Sequence, residues 1–175
     1  MEKFNTLLGV NAQASAYSNG SAQYVSTETH FINDIATGLK WQCVEYVRRW
    51  LCQTKNISFA SVNYAYEIWE QVDHCYHLKT KTPQPFYNYN NASSTAPLVG
   101  DLLVYAKSFL QTGHVAVLVE VNLKKKWVRL AEQNYQNQMW PANYSRQVNV
   151  SVTKKNNQPI YSIEDEHLLG WKSLT

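Results

Sequence analysis

No stretch of this sequence holds the about 18 consecutive apolar residues that a membrane-crossing helix needs. The first residues, Met1 to Val10, carry Glu2 and only the short apolar pair Leu7-Leu8, so the hydrophobic centre of a signal peptide is missing as well. A cytoplasmic protein without a membrane partner is therefore expected, although delivery by a specialised secretion system would need no cleavable signal. Cysteine is scarce: Cys43, Cys52 and Cys75 are odd in number and lack paired spacing, which argues against a disulfide framework and against a CxxC metal site. Charge of one sign is not concentrated either. The net charge is +3, and Lys124-Lys125-Lys126 is one short run where a turn is expected, so no nucleic-acid partner is predicted.

What is present is the composition of a globular chain, 45% hydrophobic and 17% charged over 175 residues, enough for one domain with a full core. The stretch from Trp41 to Leu51 organises the rest. Cys43, Val44, Val47, Trp50 and Leu51 recur at spacings of three and four, the mark of a helix with one buried stripe, predicted from about Gln42 to Lys55. Gly38 and Lys40 precede it with no helical pattern upstream, so Cys43 belongs in or beside the first turn. A helix start offers unpaired N–H groups and the positive end of the macrodipole, and both favour thiolate over thiol. Alone, such a cysteine is better explained as a small buried hydrophobe than as a nucleophile. Its partners must decide.

Residues 1–30 read as an irregular arm of the domain, rich in Ser, Ala, Asn and Tyr, and 31–175 as the domain proper. A second helix is predicted over Ala60 to Val72, where Val62, Ala65, Ile68, Trp69 and Val72 repeat at helical spacing. His74-Cys75-Tyr76-His77 has too few ligands for a zinc site and reads as structural. Thr80 to Pro97, with its prolines and asparagines, reads as a long loop of the kind that walls a binding cleft. Strand patterns follow at Leu102 to Tyr105, Val115 to Val121, Trp127 to Glu132, Arg146 to Val152 and Leu168 to Trp171. The fold class is α+β, N-terminal helices packed on an antiparallel sheet.

A hairpin turn centred on Lys124 sets Ala116 opposite Glu132 and His114 opposite Asn134, so these polar residues share one face with Val128 and Leu130. A carboxylate on an apolar face needs a partner. Either Glu132 or Asn134 is within reach to orient the His114 imidazole, and a one-residue slip in register would send Glu132 to the other face. With Cys43 they form a nucleophile, a base and an orienting group. The chemistry predicted is thiol acyl transfer: His114 takes the Cys43 proton, the thiolate attacks an amide carbonyl, and the Cys43 backbone N–H and Gln42 side chain receive the oxyanion. Glu132 or Asn134 fixes the imidazole tautomer.

The segments Lys40-Trp41-Gln42-Cys43-Val44-Glu45, Arg48-Arg49, Thr112-Gly113-His114-Val115-Ala116, Val128 to Asn134 and Leu169-Gly170-Trp171 resemble the CHAP family of cysteine, histidine-dependent amidohydrolases and peptidases, in the wider papain-like and NlpC/P60-like group. Within it they are most similar to the amidase halves of bifunctional glutathionylspermidine synthetase/amidases, and Thr6-Leu7-Leu8-Gly9 and Tyr66-Glu67-Ile68-Trp69 extend the likeness over nearly the whole chain. The resemblance implies hydrolysis of a glutathione-polyamine amide, with Cys43 as nucleophile, His114 as base and Glu132 as third member. It also implies a substrate contact for Arg48, whose alternative is a solvated helix arginine. The family's ATP-dependent ligase half has no counterpart here and no phosphate-binding loop stands in for it, so neither ATP nor Mg2+ nor another cofactor is expected. A peptidoglycan peptide amide as substrate, or a non-catalytic binding module, are the competing readings.

Overall fold

A computed structural model describes the whole chain, Met1 to Thr175. In order, its elements are β1 (Leu7–Asn11), β2 (Ala14–Tyr17), β3 (Thr29–Ile32), β4 (Ile35–Leu39), α1 (Cys43–Lys55), β5 (Ile57–Ser58), α2 (Glu67–Gln71), β6 (His74–His77), β7 (Pro83–Pro85) and β8 (Tyr87–Asn90). Then come β9 (Leu102–Tyr105), β10 (His114–Asn122), β11 (Trp127–Ala131), β12 (Arg146–Lys155), β13 (Gln158–Ile163) and β14 (Leu168–Ser173). Seven strands form one antiparallel sheet in the order β13-β12-β11-β10-β9-β14-β8. None of the helices is long and apolar enough to cross a membrane.

β9 and β10 lie near the middle of this sheet and are covered on both sides, which is why they read as continuous apolar runs rather than alternating ones. Leu102, Val104, Val115 and Val117 pack with Tyr46, Val47, Trp50 and Leu51 of α1. Leu103, Ala116 and Leu118 join Val128, Leu130, Val148, Val150 and Trp171 in a second cluster. Fully burying one such aliphatic side chain contributes about 1.5 to 3 kcal/mol. α1 ends where Asn56 adopts a left-handed conformation (φ 59°) and its N–H bonds to the Leu51 carbonyl.

Three sequence expectations need correction. The second helix shrinks to Glu67–Gln71, so one long helix, not two, packs on a predominantly β structure. Ala65, Ile68 and Val72 are buried as the spacing required. The backbone N–H groups of Asn63 and Tyr64 instead donate to the Glu67 carboxylate at 2.8 and 3.2 Å, a local turn that competes with the helix. The N-terminal arm is not irregular throughout: Leu7 to Tyr17 form the β1–β2 hairpin. The stretch Thr80 to Pro97 carries β7 and the sheet's edge strand β8, and none of it lines the main cleft. Pro83 and Pro85 sit in β7, which pairs on one side only, as proline permits.

His74 to His77 is β6, with Cys75 buried and His74 paired to Asp73 at 2.5 Å. Lys124 to Lys126 are exposed in the β10–β11 turn.

Candidate active site

α1 begins at Cys43, so the Cys43 amide has no helical carbonyl four residues back and points out of the helix start. β10 begins at His114, fixed by Gly113 (φ +67°), where an added Cβ would lie 2.6 Å from the Tyr105 carbonyl oxygen and 2.8 Å from the Tyr66 amide nitrogen. Cys43 and His114 line the same cleft of about 820 Å3, at the large end of small-molecule sites. Its other walls come from residues 22–25 before β3, the β3–β4 hairpin, residues 61–65, and Leu110 and Thr112 in the β9–β10 loop.

The imidazole is 1% exposed and its Nε2–H donates to Glu132 Oε2 at 2.8 Å. That leaves Nδ1 for the cysteine. Burial opposes charge on this ring, but the charge and hydrogen bond of Cys43, with those of Glu132, outweigh it and push the His114 pKa up to about 9. The rings of Tyr105, Phe109 and Tyr135 stand within 5.9 Å of the imidazole and shield it from water. Glu132, just beyond β11, is buried too. Burial raises its pKa, and the Arg146 and His114 charges more than reverse this, bringing it down to about 2.

Asn134 does not meet His114. Its Nδ2 donates to Gln42 Oε1 at 3.0 Å, while the Gln42 amide donates to Tyr24 O at 3.1 Å and Asn19 Oδ1 at 3.3 Å. Gln42 is thus held at the cleft floor beside Cys43, with its amide hydrogens engaged. Arg48 lines the cleft but is 7% exposed, which overturns its reading as a solvated helix arginine. Its Nη1 donates to Thr37 O at 3.0 Å, its guanidinium stands 5.8 Å from the Phe59 ring, and its Nε has no partner.

Sequence reasoning missed the supports of Glu132. Ser145 Oγ donates to Oε1 at 2.9 Å and Arg146 Nε at 2.7 Å. The signal was available: Arg146 opens a predicted strand that pairs with β11, opposite Leu130, and a buried carboxylate two residues on requires a cation. It also missed Asn19 and Tyr24, because nothing in an irregular arm shows where it returns.

Residues 34–134, more than half of the chain, match the CHAP domain family, and the protein belongs to that family. It is 33% identical to the bifunctional glutathionylspermidine synthetase/amidase of Escherichia coli (strain K12), over 96% of this chain and 29% of that protein. It is also 33% identical to the trypanothione synthetase of Crithidia fasciculata, over 74% of this chain and 20% of that protein. The chain spans less than a third of the length of either relative.

Proposed function

We propose that this chain is a cysteine amidohydrolase that cleaves glutathionylspermidine at the amide between the glycine carboxyl of glutathione and a spermidine nitrogen. The reading rests above all on one observation: a helix-start cysteine and a proton-holding histidine share one cleft, and the histidine is backed by a buried carboxylate. The arrangement is papain-like in its logic, and a cytoplasmic setting suits its free thiols.

The reaction runs through an acyl-enzyme. The Cys43 thiolate, paired with imidazolium, attacks the amide carbonyl, and the Cys43 main-chain N–H takes the oxyanion. Gln42 serves as second donor by giving up its longer bond, that to Asn19. His114 then protonates the departing spermidine nitrogen as the C–N bond breaks. Water, giving its proton to His114, attacks the thioester; glutathione leaves with a new carboxylate and the sulfur is freed. Glu132 keeps the imidazole tautomer and steadies its charge. Asn134 orients Gln42, and Arg48, with an unspent Nε, meets a carboxylate of the glutathione part. No cofactor enters these steps.

Purified protein and its Cys43→Ala variant are offered glutathionylspermidine and, separately, purified peptidoglycan, with products read by mass spectrometry. Release of free spermidine that vanishes in the variant is expected. Muropeptide release would make the chain a cell-wall hydrolase of the same mechanism. Turnover of neither would leave a non-catalytic binding module and overturn the proposal.

A further inference from the structure

Glu132 is held from behind by a single cation that the cleft does not touch. Arg146 opens β12 and is absent from the cleft lining; with Glu132 it borders a second cavity of about 60 Å3. Its Nε reaches Glu132 Oε1 at 2.7 Å and its Nη2 reaches Oε2 at 3.5 Å. The rest of the guanidinium is anchored in turn. Nη1 lies 2.7 Å from Asp165 Oδ2, and Nη2 donates to the Tyr105 hydroxyl at 2.7 Å. That hydroxyl donates to Asp165 Oδ2 at 2.6 Å. The guanidinium also lies 4.3 Å from the centre of the Tyr135 ring, which itself stands 5.5 Å from the His114 ring.

We propose that Arg146 is the positioning residue of this site: acting through Glu132, it keeps that carboxylate aimed at His114 and charged, so that the imidazole has an anion to lean on. The inference rests on the reading of Cys43, His114 and Glu132 as nucleophile, base and orienting group. Several titratable groups surround the carboxylate: Tyr46 from α1, Tyr105 from β9, His114 from β10, Arg146 from β12 and Tyr135 from the β11–β12 connection. Cys43 faces the other side of His114, and Asp165 and Glu166 lie beyond Arg146 and Tyr135. Arg146 and His114 are the cations among them. Without Arg146, burial acts on Glu132 opposed by His114 and the neutral Ser145 hydroxyl alone. The carboxylate then takes up a proton at a higher pH. Once neutral, it no longer supports imidazolium, and the Cys43 thiolate loses its counter-ion.

Alkylation of Cys43 by iodoacetamide, followed from acid to alkaline pH, reads this pair without any substrate. The test therefore stands even if the proposed substrate is wrong. In Arg146→Met the acid limb of alkylation is expected to move up, by less than the about one to three pH units that losing an adjacent opposite charge gives at the carboxylate itself, and Arg146→Lys should restore most of it. In turnover, kcat falls while KM holds, because Arg146 does not meet substrate. Tyr105→Phe, which keeps the ring and removes the hydroxyl shared by Arg146 and Asp165, should move the limb the same way by less. That variant decides the matter if Arg146→Met does not fold. An unmoved acid limb in the folded variants, or equal shifts in the Lys and Met variants, overturns the proposal.

Discussion

Glu132 reaches His114, 2.8 Å away, because of a β-bulge between them. Near the turn, Asn122 pairs with Trp127 and Glu120 with Arg129; beyond the bulge at Val119, Leu118 pairs with Leu130 and Val117 with Ala131. Carried straight on, the first register would set Glu132 opposite Val117, on the face away from His114. The extra residue returns it to the shared face, as bulges beside functional sites do.

Replacing Glu132 by Gln keeps the size and removes the charge that supports imidazolium. Turnover by the variant should fall on the order of 100-fold, the scale of a disabled general base. The alkaline limb of its pH–rate profile should move below the value of about 9 set in part by this carboxylate. Arg146 keeps Asp165 and the Tyr105 hydroxyl as partners, so the variant should lose only about 1.5 to 3 kcal/mol in urea unfolding, the scale of one hydrogen bond to a charged group. A wild-type alkaline limb would contradict the assignment of Glu132.

The same two groups set a pH window for stability. His114 is raised from 6.5 to about 9 on folding, so its contribution is complete below about pH 6.5 and is lost as the pH rises through about 9. Glu132 is lowered from 4.5 to about 2, so its contribution is complete above about pH 4.5 and is lost as the pH falls towards 2. Urea midpoints should therefore decline from pH 6.5 to 9, and more weakly in Cys43→Ala, which lacks the sulfur whose charge helps to raise His114. Parallel curves for the two proteins would count against a Cys43–His114 pair.

Thiol reactivity separates the three cysteines. Burial pushes the Cys75 thiol up to about 12 and raises that of Cys52, so both stay protonated near neutral pH. Cys43 opens on the cleft and faces imidazolium. Brief treatment with iodoacetamide near neutral pH should label Cys43 well before the others, read by peptide mass spectrometry. Equal labelling of all three in the folded protein would contradict an activated thiol.

The buried stripe of α1, the β10–β11 hairpin and its register at the site were legible in the sequence, because each depends on contacts between residues near in the chain or on strict periodicity. The Lys124-centred register is correct at the His114 end, although the turn itself is Leu123 to Lys126; the bulge absorbs the difference, and no residue type marks it. Two hairpin turns were legible but not read. Asn33-Asp34 and Asn156-Asn157 all have positive φ, as a two-residue loop of type I′ requires, and they join β3 to β4 and β12 to β13. The cleft walls were not legible, since residues 22–25 and 61–65 meet there through tertiary packing alone.

Glu45 belongs to the Cys43-Val44-Glu45 segment, and its role is to carry a buried ion pair behind the nucleophile. Its carboxylate has no exposure and accepts from Arg49 Nε at 2.7 Å, Arg49 Nη2 at 3.0 Å, Thr37 Oγ1 at 2.9 Å and Gln133 Nε2 at 3.1 Å. Burial works against the charge, but His30 and Arg49 hold the carboxyl below its usual range. Arg49 in turn donates to the Ser15 carbonyl and lies against the rings of Tyr17, Trp41 and Tyr46. The pair therefore ties α1 to β2 and to the segment after β11. Glu45→Ala strands the buried guanidinium and should cost about 3 to 5 kcal/mol in denaturant unfolding. Arg49→Met should cost a similar amount. The Glu45→Ala/Arg49→Met double variant should lose clearly less than the sum of the two, because the second change removes the charge that the first left unpaired. Additive losses in that cycle would show that the two side chains stabilise the fold independently.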